Sequence, residues 1–192
     1  MLNKKFRLKD GRTVHIRRLY IEDYKHDNNY EFVHSWLNQV NKYLALEFEK
    51  EDLESNIAIF ETLISNKEEY IIIGAIFNEK IIGQASLQLN SKSKKLAHIG
   101  TWGIALHPDF QNQGLGTRLL QIVEREAKEK GLKKLEAEFF KENSIARNLY
   151  IEKMNYEIEG TRKCGGLLNN GSYTDRILIA KIIDNSLEAL KY

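Results

Sequence analysis

The sequence predicts an α/β (α+β) fold, in which about four helices flank a mixed, mostly antiparallel central sheet of about six to seven strands. Three features of the chain indicate this architecture. An apolar hairpin and a third strand lie between residues 70 and 106, a strand–helix–strand unit ends at residue 140, and a Gly- and Asn-rich hairpin follows. With 192 residues, the chain is long enough for a single domain, 1–192, with a sizeable core.

The first 65 residues contain one predicted strand and two predicted helices. Residues 13–19 alternate apolar and polar side chains, as a strand with one buried face does. In residues 22–46 and again in residues 51–65, apolar side chains recur at a spacing of three and four, which predicts two helices.

The spacing changes to that of an extended chain at residue 70. Residues 70–77 and 80–89 are apolar runs separated by Asn78 and Glu79, which is typical of a β-hairpin. Residues 96–106 form a third strand. These three adjacent antiparallel strands lead into a loop that contains glycine.

That loop and the helix after it have the arrangement of an anion-binding site. Residues 111–116 read QNQGLG and open into a helix with one apolar stripe. Glycine lets the backbone approach a ligand closely, and the first amides of a helix have no intrahelical acceptor. Together with the helix dipole, these amides predict a seat for a phosphate group. Gly114 and Gly116 fit a tight turn that binds nothing equally well.

The last third of the chain completes the sheet. Gly131 marks the end of the long helix, and residues 134–140 form a strand expected to lie parallel to the strand at 96–106. Asn143 is a suitable N-cap for a short helix. Residues 156–164 and 173–183 then read as the two strands of a hairpin.

Composition excludes several classes of protein. The 29 Lys and Arg against 27 Asp and Glu give a net charge of +2, which argues against a nucleic-acid partner. No apolar run is long enough to span a bilayer, so we expect no membrane partner and a cytoplasmic protein. The five His lack ligand spacing, so we expect no metal. Exposed strands in the last hairpin would permit a homodimer.

Two motifs together resemble the GNAT superfamily of acyl-CoA-dependent N-acetyltransferases. They are Gln111-x-x-Gly114-x-Gly116 and, one strand later, Asn143-x-x-Ala146-x-x-Leu149-Tyr150. Each is permissive alone, but their order and their separation of about thirty residues are specific. The resemblance covers residues 13–183. The stretches 156–160 and 170–175 are similar to the branch that acetylates free amino acids and other small amines, and to its neighbours that act on protein N-termini.

The resemblance implies acetyl-CoA as cosubstrate and assigns residues to it. Its pyrophosphate would lie on the backbone amides of the loop and first helical turn. Its pantetheine arm would lie in a cleft between two splayed strands, paired to the backbone of one of them like an additional strand. The implied cofactor-binding residues are Ile104, Ala105, Leu106, Gln111, Asn112, Gln113, Gly114, Leu115, Gly116, Thr117, Asn143 and Arg147.

Acyl transfer to an amine also needs a proton donor and a proton acceptor. In the family that this chain resembles, a tyrosine on the short helix usually protonates the departing thiolate, and the matching position is Tyr150. A core aromatic is the alternative role for Tyr150. Many relatives carry a glutamate before the glycine loop as the base, whereas this chain has no carboxylate there. His98 and Glu47 are therefore the candidate bases, and both also fit a structural or surface role.

The predicted function is transfer of the acetyl group of acetyl-CoA to a primary amine of a small molecule such as an amino acid, by direct attack in a ternary complex. A protein N-terminus or a lysine is the alternative acceptor. A non-catalytic acyl-CoA-binding sensor is the alternative of another class, although the presence of Tyr150 and of the complete glycine loop argues against it. Four aromatic residues fit either an acceptor pocket or the core. They are Trp36, Tyr43, Phe48 and Trp102.

Overall fold

One eight-stranded sheet forms the centre of the computed structural model, which describes residues 3–44 and 53–184. In chain order the strands are β1 (Asn3–Arg7), β2 (Thr13–Arg18), β3 (Tyr70–Phe77), β4 (Lys80–Leu89), β5 (Ile99–Leu106), β6 (Lys134–Phe140), β7 (Glu157–Leu167) and β8 (Tyr173–Ile182). Their order in the sheet is β1-β2-β3-β4-β5-β6-β8-β7, and only β5 and β6 are parallel. The predicted fold class, a mixed and mostly antiparallel sheet with helices, is confirmed.

Helices cover both faces of the sheet. They are α1 (Ile21–Lys25), α2 (Asn29–Val40), α3 (Leu53–Ser65), α4 (Leu115–Glu129) and α5 (Ser144–Arg147), and α5 continues as a π-helical turn, Asn148–Lys153. Alternate residues of β3 enter different cores, Ile73 with α4 and Ile72 with α1–α3. Because alternate strand residues point to opposite faces, the two groups of helices lie on opposite sides of the sheet.

The sheet has eight strands, which is more than the six to seven predicted. The strand without a sequence signal is β1, which pairs antiparallel with β2 at the edge of the sheet. Four of its five residues are exposed, and only Phe6 is partly buried. A polar edge strand of this kind shows no alternation of apolar and polar residues, so the sequence pattern does not reveal it.

The helix predicted over residues 22–46 is interrupted. Asp27 and Asn28 have left-handed φ angles of 48° and 52°, which Asp and Asn tolerate better than most residues. Directly after them, the buried Asn29 amide donates to two backbone carbonyls, at 3.0 and 2.9 Å, and accepts the Ile81 N–H at 3.1 Å. These three hydrogen bonds to other segments favour the break over a continuous helix.

A cleft opens in the middle of the sheet because β5 and β6 pair only at their beginnings. Their register covers three residue pairs and ends at Thr101 and Glu136. Beyond that point β5 stays paired with β4 up to Leu106, and β6 stays paired with β8 up to Phe140. The two strands therefore diverge while each keeps its outer neighbour.

Candidate active site

The cleft between β5 and β6 has a volume of about 960 Å³. The second half of β5, strand β6, the first turn of α4, and α5 with its π-helical turn all contribute to its walls. A further wall comes from the end of α2 and the residues directly after it, within 39–44. This volume lies near the upper end of ordinary ligand pockets, about 300–1,000 Å³. The cleft can therefore hold a large organic ligand.

The β5 wall presents backbone groups to the cleft. The His107 N–H donates to the Ile82 carbonyl at 2.9 Å, which fixes which residues of β5 bond to β4. Because alternate residues of an antiparallel strand bond to opposite sides, Ile104 and Leu106 direct their N–H and C=O groups toward the cleft. The Leu106 carbonyl accepts a hydrogen bond from Gln111 Nε2 at 3.2 Å. By the same alternation, the Ala105 backbone faces β4.

The beginning of α4 also faces the cleft. Gly114 is the N-cap residue and has a φ of 84°, a conformation that favours glycine. The Arg118 N–H donates to the Gly114 carbonyl at 3.1 Å, so the N–H groups of Leu115, Gly116 and Thr117 come before the first intrahelical donor and have no acceptor within the helix. No side chain caps these amides. This is the arrangement of backbone amides on which the sequence analysis bases its expectation of an anion site.

The side chains of the loop residues are divided between the cleft and the protein interior. Gln111 and Asn112 line the cleft. The Gln113 side chain lies elsewhere, because its Oε1 accepts the Asp10 N–H at 3.1 Å. The Leu115 side chain is fully buried in the core beneath α4. For Gln113 and Leu115, only the backbone remains a candidate for contact with a ligand.

The turn between β1 and β2 holds the loop from its outer side. Arg12 Nη2 donates to the Asp109 carbonyl at 2.6 Å, and the Arg12 guanidinium lies 3.9 Å from the centroid of the Phe110 ring. The same guanidinium pairs with Asp10 at 2.6 Å, and this interaction lowers the pKa of the Asp10 carboxyl. Together with the contact between Gln113 and Asp10, these interactions fix the loop to a turn about 100 residues earlier in the chain.

Tyr150 packs against both of the diverging strands. Its ring stands edge-on to Trp102 of β5, with centroids 4.8 Å apart, and to Phe139 of β6, with centroids 5.7 Å apart. The side chain lines the cleft although the residue is 9% exposed. Burial raises the pKa of Tyr150, so the phenol is protonated at neutral pH. That is the state that a proton donor requires.

The structure does not bring His98 to the cleft. His98 is exposed in the turn before β5, at the end where β5 and β6 are still paired. At a rise of about 3.3 Å per residue, roughly 20 Å of strand separates His98 from Ile104. The other candidate base, Glu47, lies outside the described residues, as does Phe48.

Two carboxylates that the sequence analysis did not single out line the cleft from β6. Glu136 pairs with Lys134 at 2.9 Å. Glu138 accepts from Arg162 at 3.3 Å and from Arg176. The alternation in residues 134–140 already puts both glutamates on the face opposite the apolar side chains of β6. The sequence pattern does not show that β6 forms a wall of the cleft, because this depends on the divergence of β6 from β5.

Comparisons with known proteins identify the family. The model of the acetyltransferase (GNAT) family matches residues 15–156. The chain belongs to this family. No curated protein sequence matches it.

Solved structures of GNAT proteins share the fold. A GNAT-family acetyltransferase from Streptococcus pneumoniae is 25% identical, with a TM-score of 0.70 over 88% of this chain and 98% of that chain. YncA from Salmonella typhimurium, determined with its cofactor acetyl-CoA, is 18% identical, with a TM-score of 0.70 over 88% and 93%. The ribosomal-protein-S5-alanine acetyltransferase from Vibrio fischeri is 18% identical, with a TM-score of 0.71 over 95% and 98%. At 18% identity, the last two support the fold alone.

The two GNAT motifs of this chain meet at the floor of the cleft. A Cβ atom on Gly116 would lie 2.9 Å from Leu149 Cδ2, so a larger residue at position 116 would displace the Leu149 side chain. Asn143 lines the cleft and caps α5, since its Oδ1 accepts the Ala146 N–H at 2.9 Å. The cap predicted from the sequence is therefore confirmed. Arg147 is exposed on α5 and does not line the cleft.

The aromatic candidates divide between the core and the cleft. Trp36 is fully buried, and its indole N–H donates to the Ile81 carbonyl at 3.0 Å, so it belongs to the core. Tyr43 and Trp102 line the cleft.

Within residues 3–44 and 53–184, no helix has the length and apolar character needed to cross a membrane. In the same part of the chain, no group of three or more His, Cys, Asp and Glu is arranged to hold a metal ion.

Proposed function

We propose that this protein transfers the acetyl group of acetyl-CoA to the primary amine of a small molecule such as an amino acid, by direct attack in a ternary complex. The observation that carries the proposal is that free helix amides, a free strand backbone and a buried tyrosine all border one cleft. The free first amides of α4 and the cleft-facing backbone of β5 fit a pyrophosphate and an amide-bearing arm. The protonated Tyr150 lies where the two strands diverge. Membership of the GNAT acetyltransferase family supports acetyl-CoA as the thioester.

The backbone of two elements would hold the cosubstrate. The N–H groups of residues 115–117 stabilise phosphate oxygens through hydrogen bonds and the helix dipole. The backbone groups of Ile104 and the N–H of Leu106 are available to the pantetheine amides, as they would be to an added strand. Acetyl-CoA supplies an acetyl thioester. Because backbone groups make these contacts, the side chains along β5 are left to shape the cleft.

Tyr150 is the proposed proton donor for the leaving sulfur. The amine nitrogen attacks the thioester carbonyl carbon, the C–S bond breaks, the amine loses one proton and the thiolate gains one. Burial keeps the Tyr150 phenol protonated until that step. We assign uptake of the amine proton to the carboxylates of Glu136 and Glu138, directly or through water, in place of the distant His98.

A thiol-release assay tests the proposal. The full chain is incubated with acetyl-CoA and, in turn, with the common amino acids, polyamines and peptides with free N-termini. We expect release of CoA with a small amine and loss of turnover in Tyr150→Phe. Tyr173→Phe is the matched control, because Tyr173 is 73% exposed and does not line the cleft. Turnover with peptides alone would indicate a protein acceptor, and tight CoA binding without turnover of any acceptor would indicate a sensor.

A further inference from the structure

The wall of the cleft opposite β5 carries opposite charges side by side. Residues 135, 137 and 139 of β6 pack into the core with α4, so Glu136 and Glu138 lie on the other face of the sheet. By the same alternation Arg176 of β8 lies on that face, and Arg162 of β7 is its partner in the strand register. Helices α1–α3 pack on the same face of the sheet, but over β3 and β4. Among the residues that the structure describes, they do not cover that face at β6, β7 and β8.

Glu138 is held on both of its oxygens. Its Oε1 accepts from Arg176, and its Oε2 accepts from Arg162 Nη1 at 3.3 Å. Two guanidinium groups thus face one carboxylate, and the three side chains together carry one excess positive charge. Of the two guanidinium groups, that of Arg162 lines the cleft, beside Glu138.

Arg162 has hydrogen-bonding capacity left over. Its contact with Glu138 is the one ion pair found for it among the described residues, and its side chain is 56% exposed. A guanidinium has five N–H donors arranged in a planar fork, which matches a carboxylate with two parallel hydrogen bonds. Arg176 is more enclosed, with 26% of its side chain exposed, and holds Glu138 in place behind Arg162.

We infer that the acceptor carries a carboxylate close to its reacting amine, and that Arg162 binds this carboxylate while the glutamates of β6 face the amine. The inference rests on the proposed acetyl transfer to a small amine and names the class of amine. A free amino acid carries its amine and its carboxylate on one carbon. This suits a site in which Glu138 and Arg162 lie side by side, with Oε2 and Nη1 3.3 Å apart. The N-terminus of a protein has an amide where the amino acid has its carboxylate, so it offers no anion to the remaining N–H donors of Arg162.

The test compares acceptors that differ only in the carboxylate. The full chain is assayed by thiol release with the twenty common amino acids. The best of these is then compared with its carboxamide and with the amine that lacks the carboxyl group. We expect kcat/KM for the amino acid to exceed that for the carboxamide at least about tenfold. Arg162→Gln should lower kcat/KM about tenfold for the amino acid and less than about twofold for the carboxamide.

Two variants separate this role from a general effect of charge. Lys163→Gln removes the same charge from the next residue of β7, which is exposed and does not line the cleft, and should leave the preference for the carboxylate intact. Arg162→Lys keeps the charge without the planar fork and should restore part of the preference. The affinity for CoA, measured by calorimetry, and the melting temperature should stay at the wild-type values in all three variants.

The outcomes also separate this inference from the proposed function. If the carboxamide or a peptide is acetylated as well as the amino acid, or if Arg162→Gln slows both acceptors equally, the role of Arg162 is refuted while acetyl transfer stands. If no amine of any class is acetylated although CoA binds, both the inference and the proposed function are refuted.

Discussion

Replacing Arg12 tests whether the β1–β2 turn maintains the loop that we propose to bind phosphate. Arg12→Gln removes the hydrogen bond to the Asp109 carbonyl, the contact with the Phe110 ring and the ion pair with Asp10. The hydrogen bond contributes about 1 kcal/mol and the contact with the Phe110 ring about 0.5–1 kcal/mol, whereas the ion pair with Asp10 is screened by solvent and adds little. The loop conformation in the structure is therefore destabilised by about 2 kcal/mol relative to alternatives.

This destabilisation should appear as a loss of affinity for the cosubstrate. Because only the ordered loop binds, 2 kcal/mol corresponds to an increase of up to about 30-fold in the dissociation constant for CoA. We expect an increase of about 5- to 30-fold by calorimetry, with kcat at saturating acetyl-CoA within about twofold of the wild type. Lys9→Gln is the matched control, because Lys9 is an exposed residue of the same segment. A lower melting temperature with an unchanged dissociation constant would show that Arg12 stabilises the fold without positioning the loop.

Three further changes give distinct signatures. Tyr150→Phe should lower kcat at least about tenfold in the thiol-release assay and leave CoA affinity within about twofold; an unchanged kcat would move protonation to another group. Gly114→Ala places a Cβ on a residue with a φ of 84°, at a cost of about 1–2 kcal/mol, and should raise the KM for acetyl-CoA about 5- to 30-fold. Burial lowers the pKa of the His107 imidazole below its usual 6.5. The stability that the neutral imidazole contributes is therefore present above pH 6.5 and is lost as the pH falls below that value. The denaturant midpoint should drop between pH 7.5 and 5.5 more in the wild type than in His107→Asn, and equal drops would exclude His107 as the cause.

Local sequence patterns were sufficient to predict the helices and strands that bury an apolar face. The stripe of α4 enters the core as its spacing predicts, and the alternation and turn residues of β3 and β4 predict their hairpin. Elements governed by other segments were not predictable. The break at Asp27 and Asn28 depends on hydrogen bonds of Asn29 to residues about 50 positions away, and β1 is defined only by its pairing with β2.

The same distinction holds for the candidate site. The glycine loop and Tyr150 belong to motifs whose spacing is local, and the structure brings them to one cleft. The proton acceptor could not be located in this way. His98 falls within the strand predicted over residues 96–106 but lies in the turn before β5, at the end where β5 is paired with β6. Glu136 and Glu138 reach the cleft only because β6 leaves β5 after three residue pairs.

The alternation of strand β6 separates the proposed proton donor from the proposed proton acceptors. On one face Phe139 packs against Tyr150 in an apolar environment, and the resulting desolvation raises the pKa of Tyr150 and keeps its proton. On the other face Glu138 accepts hydrogen bonds from two guanidinium groups, those of Arg162 and Arg176. Tyr150, the proposed proton donor, and Glu138, a proposed proton acceptor, therefore approach the gap between β5 and β6 from opposite sides. A thioester lying in that gap would be open to an amine on one face and to Tyr150 on the other, which is the arrangement that direct transfer requires.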